Sequence, residues 1–301
     1  MLNEWHMGSL LLQLIYNGLV EGAILALTGL GATLVWGIQR VANFAHGDYM
    51  TLGAYVAFLL DVTWSTNPVV AAIGTVVATA ALAVGLHFIL LRPLRGRGLV
   101  ALSLITVGLG LVLRNALFLV AGSQPRQYAF NQTAVIDLGF VRVAPAELWT
   151  GIAAITAVPA VAAMLAWTPL GKTMRAVADN RDLAEISGID TDGIGLYVWI
   201  VAGALAGLGG AMLALVQGTF DPNLGFNVLF LILTVVVLGG IGNAFGALLG
   251  GLVLGVVMEV STWPPFFGGV PTQYQPVVGF VVLILLLMFR PQGILGRARV
   301  L

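Results

Sequence analysis

The sequence predicts an all-α polytopic membrane protein with roughly 8–10 transmembrane helices. Of its 301 residues, 59% are hydrophobic and only 9% are charged, whereas roughly a quarter of the residues in a soluble domain carry a charge. Several apolar runs are each long enough for a membrane-spanning helix, which needs roughly 20 apolar residues. The short alternating segments that mark a transmembrane barrel do not occur. We therefore expect a single transmembrane domain over residues 1–301.

The positions of the apolar runs and of the basic residues predict the topology. Basic residues collect on the cytoplasmic side of bacterial membrane proteins. The basic clusters are Arg92, Arg95 and Arg97, then Lys172, Arg175 and Arg181, and finally Arg290, Arg297 and Arg299. The apolar runs are 8–38, 49–62, 68–91, 99–121, 147–167, 194–216, 227–258 and 274–290. If the clusters are cytoplasmic, the loop 122–146 is external.

The run 227–258 is too long for one crossing that keeps the basic C-terminus in the cytoplasm. It is interrupted by Gly239-Gly240-Ile241-Gly242-Asn243, and both Gly and Asn favour turns. We therefore predict two helices, 227–239 and 244–259, joined as a tight hairpin whose turn lies on the cytoplasmic side.

A second interruption lies near the start of the chain, at residues 39–48, and directly precedes the short predicted helix 49–62. In the second half of the chain, residues 220–225 similarly precede helix 227–239. On the predicted topology the first short helix runs outward and the second inward. This pattern is typical of inverted repeats, whose broken helices build transport sites, although the two halves share almost no sequence identity.

Polar groups at these interruptions are candidates for the lining of a transport pathway. Non-helical backbone within a membrane needs protein or water around it, and polar residues there usually face a cavity. An interfacial loop in headgroup water is the equally open alternative for the first interruption. Arg114 lies about seven residues from its helix end, a distance over which arginine can reach the interface, so we expect it to be structural. We expect residues 43–48 and 239–243 to approach each other near mid-bilayer and to line or gate the same route. The pathway candidates are Asn43, Phe44, His46, Asp48, Gly239, Gly240 and Asn243.

The segment 169–192 is the most highly charged part of the chain and holds its only lysine. Asn180 is a good N-cap, and Gly188 suits the position after a helix C-terminus. The segment therefore predicts two short capped helices that meet near Asp179. Such a pair is suited to dock in a groove of a soluble partner, although a solvated loop between two spans is the simpler alternative.

Four segments resemble the LivH-type membrane subunits of bacterial branched-chain amino acid ABC importers. They are Ile38–Asp48, Gly171–Ile189, Val237–Gly251 (Val-Leu-Gly-Gly-Ile-Gly-Asn and Gly-Ala-Leu-Leu-Gly-Gly) and Arg290–Gly296 (Arg-Pro-Gln-Gly-Ile-Leu-Gly). Together these segments are spread over nearly the whole length of the chain in the family's order, and only the combination is specific. The resemblance implies a type II-like ABC importer permease.

The resemblance also implies partners and a location. The expected partners are a homologous LivM-type permease subunit, two cytoplasmic ATP-binding subunits and a periplasmic substrate-binding protein, all at the bacterial inner membrane. The implied substrates are leucine, isoleucine, valine or related amino acids. The loop 169–192 would then be the coupling loop that receives the ATPase. Its candidate coupling residues are Gly171, Met174, Arg175, Ala176, Asn180, Glu185 and Gly188.

An ion-coupled carrier and a passive channel for a small neutral solute such as urea are the alternatives. Either would work without partners, whereas an importer would not. Net charge is zero, which argues against nucleic acid as a partner. The chain has no cysteine, and its three histidines do not stand at metal-ligand spacing. No phosphate-binding loop motif occurs. We therefore expect neither a cofactor nor an enzymatic activity. The surrounding medium is expected to be membrane lipid.

Overall fold

The computed structural model describes residues 4–64, 67–94, 97–129, 135–137, 139, 141–265 and 268–296. Two helices continue without interruption into a π-helical turn, at Val35–Gln39 and His87–Leu91. A small hairpin in the predicted external loop pairs β1 (Ile136–Asp137) with β2 (Arg142–Val143). The helices are α1 (Glu4–Leu34), α2 (His46–Trp64), α3 (Pro68–Leu86), α4 (Leu99–Ala121), α5 (Pro145–Trp167), α6 (Pro169–Asp179), α7 (Arg181–Ile186), α8 (Thr191–Gln217), α9 (Leu224–Gly239), α10 (Ala244–Val260) and α11 (Gln275–Phe289).

The predicted fold class is confirmed. Within the described residues, six helices are long and apolar enough to cross a membrane, and α9 and α10 are shorter apolar helices. The predicted hairpin is confirmed as well, because α9 ends at Gly239 and α10 begins at Ala244. Asn243 caps α10 by accepting a hydrogen bond from the Gly246 amide over 2.9 Å. The full-length spans are Gly8–Gln39, Pro68–Leu91, Leu99–Ala121, Pro145–Trp167, Thr191–Gln217 and Thr272–Phe289.

One end of the molecule gathers the segments that were predicted to be cytoplasmic. Arg40, after the end of α1, donates a hydrogen bond to the Ala178 carbonyl of α6 over 2.9 Å. The α9–α10 turn packs against Gly37, and Asn243 donates to the Leu295 carbonyl over 2.6 Å. We call this the coupling end, because it holds the segment 169–192, which is expected to be the coupling loop. Arg95, Arg297 and Arg299, which also entered the topology prediction, lie outside the described residues.

The other end carries the long loop and the start of α1. Gln13 of α1 accepts a hydrogen bond from the Arg142 amide over 2.8 Å, and Arg126 pairs with Phe220 in an isolated β-bridge. We call this the loop end. Because α1 runs from here to the coupling end, its N-terminus lies on the side of the predicted external loop.

The core forms where α1, α2, α8, α9 and α10 meet, and glycines make this packing possible. A Cβ at Gly22 would lie 2.9 Å from the Leu252 Cα, and one at Gly18 would lie 2.6 Å from the Val256 Cα. Such separations are shorter than side chains tolerate, so α1 and α10 approach backbone to backbone, as small residues allow in membrane bundles. By contrast, α4, α5 and α11 lie at the periphery and expose most of their apolar surface.

Candidate functional site

The first interruption is a true break between α1 and α2. Arg40 has a left-handed backbone (φ 60°), and it is the only non-glycine residue in the described ranges with a positive φ. That conformation ends the helix, and the chain does not become helical again until His46. The Thr106 hydroxyl of α4 accepts a hydrogen bond from the Phe44 amide over 3.0 Å. One backbone amide that the break leaves without a helical partner therefore forms its hydrogen bond with α4.

The side chains of the break are buried and only partly hydrogen-bonded. The His46 ring is fully buried, and its Nε2 lies 3.0 Å from the Thr28 carbonyl oxygen of α1. That oxygen can only accept, so Nε2 carries the proton. Asn43 accepts from the Ala45 amide over 3.1 Å. The remaining polar atoms, Asn43 Nδ2 and His46 Nδ1, have no hydrogen-bond partner among the described residues. Unsatisfied buried polar atoms are uncommon and call for a reason.

Asp48, in the first turn of α2, forms a buried ion pair with Arg114 of α4. The Arg114 Nε lies 3.0 Å from Asp48 Oδ1, and the two side chains are 11% and 1% exposed. The guanidinium carbon also lies 3.8 Å from the centre of the Phe226 ring of α9, which is a cation–π geometry. The expectation that Arg114 extends to the membrane interface is therefore wrong, because Asp48 and Phe226 hold the side chain inside the protein.

Three residues of α4 face the break along one stripe. Thr106, Gly110 and Arg114 are spaced by four residues, which places them on the same side of a helix. Any side chain at position 110 would overlap Asp48, so the glycine makes room for the ion pair. Sequence reasoning missed this stripe, although its spacing was visible.

The two interruptions predicted to be related by an inverted repeat are in contact where α2 and α9 begin. The backbones of Gly47 and Gly225 touch, so that a Cβ on either glycine would overlap the other residue. The Gly225 amide also donates a hydrogen bond to the Thr51 hydroxyl over 3.0 Å. The start of α2 and the start of α9 are therefore one packed unit inside the bundle.

The α9–α10 turn lies elsewhere, at the coupling end. The Gly242 amide donates to the Thr33 hydroxyl of α1 over 3.0 Å, and Gly240 packs against the backbone of Gly296. The contacts of Gly240 and Gly242 are with Gly296 and with α1, and the expected approach of residues 43–48 to residues 239–243 stays a prediction. The first break contacts α1, α4 and α9, and α1 also contacts the α9–α10 turn.

The segment 169–192, which we call the coupling segment after its expected role, has the predicted form of two short capped helices. Asn180 caps α7 by accepting a hydrogen bond from the Leu183 amide over 3.0 Å, and Gly188 has a φ of 84° just after α7. Thr168 provides the corresponding cap for α6, accepting from the Gly171 amide over 3.1 Å.

The coupling segment has a buried face and an exposed face. Met174 and Val177 are buried against the bundle, and Arg175 donates a hydrogen bond to the Leu165 carbonyl of α5. Gly171 packs against the carbonyls of Met164 and Leu165. In contrast, Leu183 is 61% exposed and Ile186 is 85% exposed. Of the candidate coupling residues, Asn180, Glu185 and Gly188 are exposed, Arg175 is exposed while bonded to α5, Ala176 is half-buried, and Gly171 and Met174 are buried.

Comparison with known proteins gives one consistent family. The family described as "Branched-chain amino acid transport system / permease component" matches residues 14–287. The "High-affinity branched-chain amino acid transport system permease protein LivH" is 31% identical in both Salmonella typhimurium and Escherichia coli, over 96% of each chain. BraD of Pseudomonas aeruginosa is 30% identical over 96% of this chain and 97% of its own. LivM of Escherichia coli is 25% identical over 92% of this chain and 68% of LivM. No solved structure matches the chain.

Proposed function

The chain belongs to the branched-chain amino acid transport permease family, and on that premise we propose that it forms half of the translocation pathway of an ATP-driven amino acid importer. It is a permease subunit rather than an enzyme. We propose that a LivM-type permease subunit completes the pathway, that two cytoplasmic ATP-binding subunits drive it, and that a periplasmic binding protein delivers the substrate. The proposed location is the bacterial inner membrane.

The observation that carries the proposal is the two-faced coupling segment. Its inner face is anchored to the bundle through Met174 and Val177, while Leu183 and Ile186 face outward. Exposed apolar side chains on a charged, rigid surface are typical of a protein interface. We propose that this outer face docks in a groove of the ATP-binding subunit.

The anchoring contacts provide a route from the coupling segment to the break. Arg40 connects α6 to the end of α1 through the Ala178 carbonyl, and α1 in turn holds His46 through the Thr28 carbonyl. A displacement of α6 therefore acts on α1, and α1 acts on the start of α2. The same end of α1 holds the α9–α10 turn through Thr33 and Gly242.

The polar atoms of the break support its assignment to the pathway. In a transport cycle, water or cargo would supply the missing hydrogen-bond partners of Asn43 Nδ2 and His46 Nδ1. A buried polar atom without a partner otherwise lowers the folding stability by about 1–3 kcal/mol. The proposed pathway residues of the first break are thus Asn43, Phe44, His46 and Asp48. Gly239, Gly240 and Asn243 would act at its cytoplasmic exit.

Reconstitution separates this function from the alternatives. The chain should be inserted into liposomes alone, and then together with the LivM-type and ATP-binding subunits. We expect uptake of radiolabelled leucine only in the full assembly, with the binding protein outside and ATP inside. Uptake by the chain alone, with or without an ion gradient, would indicate a carrier or a channel and contradict the proposal.

A further inference from the structure

A second polar feature lies at the coupling end, where the first break begins and contributes Gln39 and Val41 to its lining. A cavity of about 250 Å³ opens there between the end of α1, the π-helical end of α3, the start of α4, α7 and α8. Pockets for drug-sized ligands begin at about 300 Å³, so this cavity fits a smaller molecule. Its lining residues are Gln39, Val41, His87, Leu91, Leu99, Leu102, Arg181 and Trp199.

The lining divides into a polar part and an aliphatic part. Arg181 contributes a guanidinium and Gln39 an amide, and the His87 ring stacks on Trp199 with 5.7 Å between ring centres. The aliphatic part consists of Val41, Leu91, Leu99 and Leu102. A guanidinium is well suited to bind a carboxylate, and leucine and valine side chains favour a branched aliphatic tail.

We infer that this cavity binds a short branched aliphatic carboxylate from the cytoplasm, with the carboxylate on Arg181 and the tail among the leucines. This inference rests on the proposed function, because it identifies the ligand with the imported amino acid. The 2-oxo acid with the same carbon skeleton has the same recognition chemistry and is the second source to be tested.

Arg181 connects ligand binding to the coupling segment. Its Nη2 lies 3.1 Å from Asp192 Oδ1 and 3.2 Å from Thr191 Oγ1, so it joins α7 to the start of α8. A ligand carboxylate competes with Asp192 for this guanidinium. Occupation of the cavity therefore loosens the α7–α8 connection and slows the coupled cycle, which makes the cavity a product-feedback site.

The test measures binding to the full-length chain in lipid nanodiscs. Radiolabelled leucine and 4-methyl-2-oxopentanoate are the probes, and saturable binding of at least one is expected. Arg181→Gln should weaken it at least about tenfold, because a charge-assisted hydrogen bond is lost. Asp192→Asn should strengthen it, because Arg181 is released. Arg290→Gln is the control, since Arg290 is outside the cavity lining.

A second pair of variants separates binding from folding. Leu99 is 56% exposed at the edge of the cavity, and Leu104 on the same helix is 65% exposed but does not line it. Leu99→Trp should block binding, whereas Leu104→Trp should leave it unchanged. Binding that survives both Arg181→Gln and Leu99→Trp, or no saturable binding of either probe, overturns the inference.

The feedback itself is measured on the assembled importer. Leucine on the cytoplasmic side should slow ATP hydrolysis in the wild type and have less effect in Arg181→Gln. If the assembly imports leucine but neither probe binds the cavity, only this inference fails. If Arg181-dependent binding occurs but the assembly does not import, the proposed function fails instead.

Discussion

The Arg114 guanidinium and the Asp48 carboxylate form a buried ion pair, 3.0 Å between Nε and Oδ1, that joins α4 to the first turn of α2. Apart from this pair and the hydroxyl of Thr106, α4 is a peripheral helix with few polar contacts to the bundle. The pair therefore fixes the position of α4 and, through it, the broken backbone at residues 42–46.

Removing one partner of this pair should destabilise the protein strongly. Asp48→Asn or Arg114→Gln is expected to cost about 3–5 kcal/mol, since a buried charge loses its counter-ion. The double variant should recover part of that loss, because no unpaired charge remains. Thermal unfolding of the purified variants measures the effect. The matched control is Asp137→Asn, which breaks an exposed pair with Arg142 and should cost no more than about 1 kcal/mol.

The backbone contact between Gly47 and Gly225 gives a second prediction. Gly225→Ala places a methyl group against the Gly47 carbonyl and should reduce the stability by about 1–3 kcal/mol or more. Gly108→Ala on α4 is the control, because no atom lies within 4 Å of that added methyl group. We expect this control to be neutral or slightly stabilising. Equal stability of the two variants would contradict the packing described for α2 and α9.

The ion pair of Asp48 with Arg114 and the contact of Gly47 with Gly225 were not predicted from the sequence. Helix bounds, the hairpin turn at 239–243 and the caps at Asn180 and Gly188 depend on local preferences of a few neighbouring residues, and all were predictable. The pairing of Asp48 with Arg114, and of Gly47 with Gly225, joins residues far apart in the chain. Periodicity places a residue on a face of its helix but does not identify the helix opposite. For the same reason the contact of the 43–48 break with Gly225 was not predicted.

The exposed face of the coupling segment should couple ATP hydrolysis in the partner subunits to leucine uptake. Glu185→Lys reverses a charge on that face, so it should lower leucine uptake per ATP hydrolysed without changing thermal stability. Arg175→Glu should also uncouple the two, but with a loss of stability, because Arg175 holds the Leu165 carbonyl of α5. Uptake and hydrolysis are measured together in proteoliposomes. Normal coupling in both variants would exclude this surface as the ATPase contact.

The topology can be tested with single cysteines, because the chain has none of its own. Cysteines at Asp179 and Ile241 should react with an impermeant thiol reagent only from the cytoplasmic side. A cysteine at Val135, which is 56% exposed in the long loop, should react only from outside. Gly242 itself has a φ of 81°, so its neighbour Ile241 is the better probe.

Further labelling sites extend the topology test. Gly96 and Arg299 are predicted to be cytoplasmic, and Gln132 and Phe267 external, but all four lie outside the described residues. External labelling at Asp179 would reverse the proposed orientation of the whole chain. External labelling at Ile241 alone would affect only the hairpin.

The pathway prediction is tested at both interruptions, and each needs its own control. Asn243→Ala removes the cap of α10, which costs about 1 kcal/mol, so a defect in that variant could be structural. Asn243→Asp keeps the capping oxygen and loses only the hydrogen bond to Leu295. His46→Ala removes a fully buried ring, and Thr234→Ala is its control, because the Thr234 hydroxyl bonds only within its own helix. We expect His46→Ala and Asn243→Ala to reduce leucine uptake per assembled complex, whereas Thr234→Ala should not. Wild-type uptake in both pathway variants would mean that the polar groups of the two interruptions serve only the fold, and that the cargo passes elsewhere.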